Sequence, residues 1–249
     1  MATLFRPYVF GREERTVLDR DGHFVLPGIL TESAAEKLTE SLAYIQSLPR
    51  DDEEYLPSRF AAEFDRYLES LIGHPQLLDL VRKVLGSEIR YDHCVALNRL
   101  GGNPGSAWHS HQYADDEPKL GFLRVFFYVN GFAADDGGLK VVPGSHHFRD
   151  PDIRAESDGE LERGWMAGKV HPHTDDPLRL EGLSLAERSV VLMWTHAAHG
   201  VTPRKDGSGM RWCVVYAYRN PGRQSHARWL SQEFEQKEIA GAEGLMSLY

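Results

Sequence analysis

Two textures divide the chain near residue 88. Before it, apolar residues recur at helical spacing. Leu38, Leu42, Ile45 and Leu48 follow one another three or four residues apart, so they share one helix face. Thr31 stands just ahead of this run, where its hydroxyl can cap the first turn. Pro49 stops it, because proline lacks the backbone donor that a continuing helix needs. A charged loop over 51–54 follows. A second helix is predicted over 61–72, and a third opens at Pro75, a favoured first-turn residue, and closes before Gly86.

After residue 88 the apolar positions gather into short runs, 89–97, 120–130, 139–142, 190–194 and 211–218. They are rich in Val, Phe, Tyr and Leu and are punctuated by Gly, Pro, Asn and Asp. This is strand texture, and several short strands joined by turns or longer loops predict a sandwich or barrel. Asp135-Asp136-Gly137-Gly138 and Pro143-Gly144-Ser145 read as turns. The segment 150–188 is long, polar and poorly patterned. A loop of that length inside a compact domain is expected to be a lid or binding loop, with a disordered insertion as the alternative. No internal repeat or low-complexity tract occurs.

Composition narrows the functional classes. Of 249 residues, 41% are hydrophobic and 26% charged, which suits a domain with a sizeable core. The formal net charge of −9 argues against nucleic-acid binding, since neutralising phosphates needs a basic face. No apolar run is long enough to span a bilayer, and the first residues lack a basic region followed by an apolar stretch. Two cysteines, Cys94 and Cys213, exclude a disulfide framework and read as free thiols in a reducing compartment. The expectation is a cytoplasmic protein.

Candidate chemistry concentrates in histidines. His109 and His111 lie two apart, so on an extended segment they face the same way. A third histidine, His199, arrives from a distant run beside Gly200, which permits close backbone approach. Three such groups would close a metal site with open positions, although the usual oxygenase set is two histidines and one carboxylate. His196 competes with His199 but, three residues away on a strand, would face the other side. His171-Pro172-His173 lacks strand context and reads as a solvated loop. Arg211 opens an apolar strand and is either a bidentate clamp for an anion inside or a rim salt bridge. If it points inward, Cys213 shares its face while Trp212, Val214 and Tyr216 take the other.

Together these residues resemble the phytanoyl-CoA dioxygenase family of Fe(II)/2-oxoglutarate-dependent oxygenases. The matching pieces are Trp108-His109-Ser110-His111, the run from Gly137 through Pro143-Gly144-Ser145-His146, His199-Gly200, and Arg211. The resemblance covers 90–220 well and the helical part loosely. It implies a β-rich α+β protein, a double-stranded β-helix (jelly-roll, cupin-like barrel) with flanking N-terminal helices. One oxygenase domain would cover 1–249: a helical part over 1–88, a jelly-roll core over 89–220 with a lid-like insertion at 150–188, and a C-terminal tail over 221–249. It implies Fe(II) held by His109 and His199, 2-oxoglutarate paired with Arg211 and helped by the Thr202 hydroxyl, and O2 as oxidant for hydroxylation of a small-molecule or acyl/lipid-like substrate. His93, Arg99, Trp165 and Cys213 are candidates to face the substrate.

The departure is His111, where the family carries Asp or Glu. His111 as a third ligand would raise the charge of the site by one unit and make it resemble a zinc or copper site. Alternatively, water fills the slot, or Asp115 or Asp116 reaches in. Halogenases empty this slot with a small residue, which His111 is not. Two other functions stay open: a three-histidine metal oxygenase that needs no 2-oxoglutarate, and a non-catalytic jelly-roll protein that binds a metal or ligand.

Overall fold

The computed structural model describes residues 2–111, 120–150, 152–224 and 228–248. Asp115 and Asp116 lie outside them.

Helices build the first layer. α1 (Arg12–Asp21) ends at Gly22, whose φ of 87° is the left-handed cap that glycine adopts without a Cβ penalty. β1 (His23–Leu26) follows at once. α2 (Glu32–Ser47) starts where Thr31 Oγ1 accepts from the Ala34 amide at 3.2 Å, and it buries Ala34, Leu38, Leu42 and Ile45. The single helix expected over 61–72 is two, α3 (Ala61–Phe64) and α4 (Arg66–Ile72). Asp65 separates them: its backbone is extended and its carboxylate accepts from the Leu68 amide, so it caps a new helix instead of continuing the old one. α5 (Pro75–Leu85) buries Leu77, Leu78, Leu80, Val81 and Val84. β1 was not expected. At four residues it is too short to show a period, and it becomes a strand by pairing with a partner far along the chain.

The strands follow as β2 (Arg90–Ala96), β3 (Ser106–His109), β4 (Phe122–Tyr128), β5 (Leu139–Val141) and β6 (Arg154–Ala155). After the short helix α6 (Asp158–Arg163) come β7 (Glu181–Gly182), β8 (Ser189–Trp194), β9 (His199–Val201) and β10 (Cys213–Arg219), and then α7 (Gln232–Glu235). They form two five-stranded antiparallel sheets, a major one in the order β1-β8-β4-β10-β2 and a minor one in the order β6-β3-β9-β5-β7. The fold is therefore mixed, with helices packed against one of two antiparallel sheets.

Period two decides what each sheet face does. On β10, Val214, Tyr216 and Tyr218 join the helices in one apolar core, while Cys213 and Val215 turn the other way. There they meet Val95, Phe126, Tyr128, Val191 and Met193 of the major sheet and Leu139, Val141 and Val201 of the minor sheet. Each such side chain contributes about 1.5–3 kcal/mol by leaving water. β4 is buried along its whole length because it is covered on both faces.

The described residues of the segment 150–188, expected as a lid, pack against the minor sheet. Its Ile153, Ala155, Leu161, Met166 and Leu178 cover Trp108, Val142 and Ala198 on the outside of the minor sheet, and β6 and β7 extend both edges of that sheet. The sparse apolar positions of this polar segment are spent on that one contact. The tail over 221–249 also packs: Phe234, Ile239, Leu245 and Met246 complete the helical core.

Candidate metal centre in an arginine-lined cavity

His109 ends β3 and His199 begins β9, and the two are direct antiparallel partners. Cross-strand partners lie side by side, which brings their ring centroids to 4.3 Å. His111 is already past the end of β3, where its amide donates to the Thr195 carbonyl at 3.3 Å. Its ring lies 4.9 Å from that of His109 and 5.2 Å from that of His199. The three rings offer ligand nitrogens within 4.8 Å of one another, a grouping that could hold a metal ion. Gly200 supports the close approach: a Cβ there would come within 3.2 Å of the Ser106 carbonyl on β3.

The tautomers of two rings follow from their partners. His109 Nδ1 lies 2.8 Å from the Ala107 carbonyl and His199 Nδ1 lies 2.9 Å from the Ala197 carbonyl. A carbonyl only accepts, so each Nδ1 carries the proton and each Nε2 presents a lone pair. This is the arrangement by which backbone carbonyls orient metal-binding imidazoles. Burial holds both rings below the usual imidazole pKa, His199 well below, so both are neutral as metal ligation requires.

His111 differs. Arg124 Nη1 lies 2.8 Å from His111 Nε2, and a guanidinium only donates, so that nitrogen accepts. Burial first, and then Arg124 and the neighbouring imidazoles, push His111 well below the usual pKa. A metal bound through Nε2 would have to displace Arg124 from that lone pair.

These groups open onto a cavity of about 370 Å³. Its lining includes the three histidines, Arg59, Arg99, Arg124, Arg211, Trp229 and the apolar side chains of Val95, Leu97, Phe126, Val201 and Val215. Arg211 is 2% exposed and bonds through Nη1 to the Gly137 carbonyl. The Asp135–Gly138 turn presents that carbonyl, with Gly137 at φ 71°. The rings of Tyr128 and Phe132 lie 5.4 and 5.7 Å from its Cζ. Its buried Nε has no partner among the described residues, so donor capacity is left for an anion. Arg99 is bridged to Arg211 across the backbone and binds Asn103 Oδ1 and the Gly105 carbonyl, both at 2.7 Å. Burial, and then Arg211, lower its pKa.

The other expected site residues are placed elsewhere. The Thr202 hydroxyl donates to the Ala134 carbonyl at 2.8 Å and accepts from the Gly138 amide at 2.7 Å, so it closes the turn and does not line the cavity. Trp165 binds Asp150 Oδ2 at 2.8 Å on the outer layer. His93 is fully buried and donates to Asp92 Oδ2 at 2.7 Å; it packs 5.2 Å from the Trp229 ring, behind the cavity wall. Cys213 faces inward as the strand period predicts, but it lies in the core beneath the cavity, its thiol pushed up to about 11 by burial. His196 accepts from Arg149 at 3.1 Å, away from the three histidines. His171 is buried against Gly144, not solvated, because Gly144 leaves room for its ring; His173 is exposed.

Sequence reasoning missed Arg59, Arg124 and Trp229. Arg124 carried a signal: it is the one charged residue in the otherwise apolar run 120–129. Arg59 and Trp229 carried none, since they come from a loop and from the tail.

The two antiparallel sheets form a fold that this chain shares with solved structures of other proteins. The chain matches no protein-family model. It resembles the carbocyclase SnoK of nogalamycin biosynthesis, a non-haem α-ketoglutarate-dependent enzyme, with a TM-score of 0.66 at 14% identity over 92% of each chain. It also resembles HygX from Streptomyces hygroscopicus bound to nickel, 2-oxoglutarate and hygromycin B, with a TM-score of 0.62 at 17% identity over 84% of this chain and 87% of that one. In sequence, it is 24% identical to an L-proline trans-4-hydroxylase of Streptomyces griseoviridis over 159 residues, 59% of this chain and 59% of that protein. The chain thus spans less than two thirds of that relative. No helix among the described residues is long and apolar enough to cross a membrane.

Proposed function

We propose that this chain is an Fe(II)- and 2-oxoglutarate-dependent oxygenase that oxidises a small molecule, built as one double-stranded β-helix domain. The observation that carries this reading is the convergence of two carbonyl-oriented Nε2 lone pairs, from His109 and His199, in a cavity that also holds the buried guanidinium of Arg211. The donor set fits the metal and the arginine fits a carboxylate. The likeness to SnoK and HygX supports the same reading.

His109 and His199 would hold the iron, with His111 in the third position once Arg124 releases it. When bound, Fe(II), 2-oxoglutarate and O2 supply the oxidising chemistry, with succinate and CO2 as by-products. The chain's own part is orientation. The Ala107 and Ala197 carbonyls keep the imidazoles in the ligating tautomer, and Arg211, fixed by the Gly137 carbonyl, clamps the distal carboxylate. The apolar walls exclude water. A cavity of about 370 Å³ shared with 2-oxoglutarate favours a compact substrate over a long acyl chain.

The test is anaerobic titration of Fe(II)-loaded protein with 2-oxoglutarate, watching for the visible metal-to-ligand charge-transfer band, followed by assay of succinate release in air. A saturable band supports the reading. Iron bound without a band would overturn it. That outcome would favour a three-histidine oxygenase that needs no 2-oxoglutarate, the reading to which the imidazole at position 111 gives independent weight.

A further inference from the structure

Arg99 and Arg211 are direct antiparallel partners, each amide donating to the other's carbonyl, at 3.0 and 2.8 Å. Both side chains line the cavity. Cross-strand partners lie side by side, and like charges placed so repel. Both guanidiniums also act on one aromatic side chain. Burial raises the pKa of the Tyr128 hydroxyl, and Arg211 and Arg99 each oppose that rise.

The partners of this pair orient it without neutralising it. Among the described residues, Arg99 bonds Asn103 Oδ1 and the Gly105 carbonyl, and Arg211 bonds the Gly137 and Leu97 carbonyls, all uncharged. Elsewhere the chain gives buried arginines a carboxylate: Arg204 pairs with Asp136 at 3.1 Å and Arg228 with Glu235 at 2.7 Å. The Nε of Arg99 and the Nε of Arg211 are both buried and have no acceptor among the described residues. Two buried donors on adjacent charged groups call for an acceptor from outside the chain. The Thr202 hydroxyl, expected to share an anion with Arg211, is taken by the turn at Gly138, which leaves Arg99 as the neighbouring donor. Arg99 is also held in place. Asn103 Oδ1 accepts from the Gly105 amide at 3.0 Å as well, and Gly105, at φ 81°, packs so close to β9 that a Cβ would come 2.2 Å from the Val201 carbonyl. A guanidinium fixed in this way loses little freedom when it binds an anion.

Resting on the oxygenase reading above, we propose that Arg99 and Arg211 form a two-arginine clamp that shares the distal carboxylate of 2-oxoglutarate, so that Arg99 serves the co-substrate and not the substrate. An ionised carboxylate has two acceptor oxygens and about four lone-pair sites, enough for two guanidiniums. Its negative charge between two like charges offsets their repulsion. The clamp therefore selects a 2-oxo acid that ends in a second carboxylate over one that ends in a methyl group.

The experiment titrates anaerobic Fe(II)-loaded protein with 2-oxoglutarate and with 2-oxopentanoate, which carries a methyl group in place of the distal carboxylate. The readout is the visible charge-transfer band. The variant is Arg99→Gln, whose amide still donates to Asn103 Oδ1 or the Gly105 carbonyl but carries no charge. It should weaken 2-oxoglutarate by about tenfold, as expected for loss of one charge-assisted contact. The affinity for 2-oxopentanoate should stay within about twofold, since the contact it lacks cannot be lost. Arg99→Lys keeps the charge and should lose less than Arg99→Gln; where glutamine does not fold, lysine is read against 2-oxopentanoate in the same way. Equal weakening of both acids would make Arg99 a residue that acts only through the fold, and unchanged 2-oxoglutarate affinity would place it outside the clamp; either result overturns the proposal. Absence of a band with wild-type protein defeats the oxygenase reading instead. The pair is then tested by calorimetry on metal-free protein with glutarate and its neutral diamide. Glutarate binding that Arg99→Gln and Arg211→Ala each weaken keeps the pair as an anion clamp, and no preference for glutarate removes it.

Discussion

Two histidine clusters lie among the described residues, and only one of these has the character of a metal site. His109, His111 and His199 meet where two strands and a strand end converge, with ligand nitrogens within 4.8 Å of one another. The second cluster, His146, His147, His171 and His173, is as rich in imidazole. Its rings pack together, tilted with centroids 3.9 Å apart for His146 and His147 and stacked at 4.5 Å for His147 and His173. His146 Nε2 lies 3.0 Å from the Asp19 carbonyl and His147 Nε2 lies 3.3 Å from the Arg20 carbonyl. In the first cluster, carbonyls accept from Nδ1 of His109 and His199 and leave their two Nε2 lone pairs facing a cavity. In the second, carbonyls take the Nε2 protons and tie the Pro143–His147 turn to the end of α1. The count of histidines is therefore a poor guide, and which ring nitrogen the backbone engages is a good one.

The comparison can be broken most sharply at the first cluster. His109→Ala or His199→Ala should lower Fe(II) affinity by more than about 100-fold, since each removes a ligand outright. The thermal transition should stay cooperative. Equilibrium dialysis with iron measures the loss, and full occupancy in both variants would refute the site. His147→Ala and His173→Ala in the second cluster should leave iron binding unchanged.

Arg211→Ala should raise the 2-oxoglutarate concentration needed for half-saturation by about 10- to 100-fold, the range for losing a bidentate charge-assisted contact, with little effect on iron. Titration of the visible band reads this directly. An unchanged requirement would make Arg211 a purely structural residue.

At position 111, His111→Asp should tighten Fe(II) binding by about tenfold if the side chain occupies a ligand position, because a carboxylate restores a negative charge beside Arg124. Indifference to the change would place His111 outside the ligand set.

The smallest effect concerns acid stability. Burial lowers the His146 pKa to about 3, whereas an unfolded histidine titrates near 6.5. Between those values the unfolded chain binds a proton that the native one does not, so stability falls as pH drops from about 6.5 towards about 3 and is unaffected above that window. His146→Gln should flatten this part of the profile, as measured by denaturant midpoints across the range. A parallel profile in the variant would show that His146 does not drive it.

Much of this protein was legible in its pattern. The helix over α2, the five main strands and the inward face shared by Arg211 and Cys213 follow from periods of 3.6 and two, which are local properties of the backbone. Strand alternation would put His109 and His111 on one side only while the segment stays extended, and His111 lies past the end of β3. Other features had no local signature. β1 exists only because β8 pairs with it. The polar segment 150–188 reads as a lid until Trp108 is seen to need a cover. Thr202 reads as a ligand hydroxyl until the turn at Gly138 is seen to take it. Arg59 and Trp229 stand 170 positions apart and meet in the cavity lining only when the tail packs against the sheets. Periodicity dictates which way a side chain faces. What it faces depends on contacts between distant segments, and burial, charge and tautomer are settled only when those contacts form.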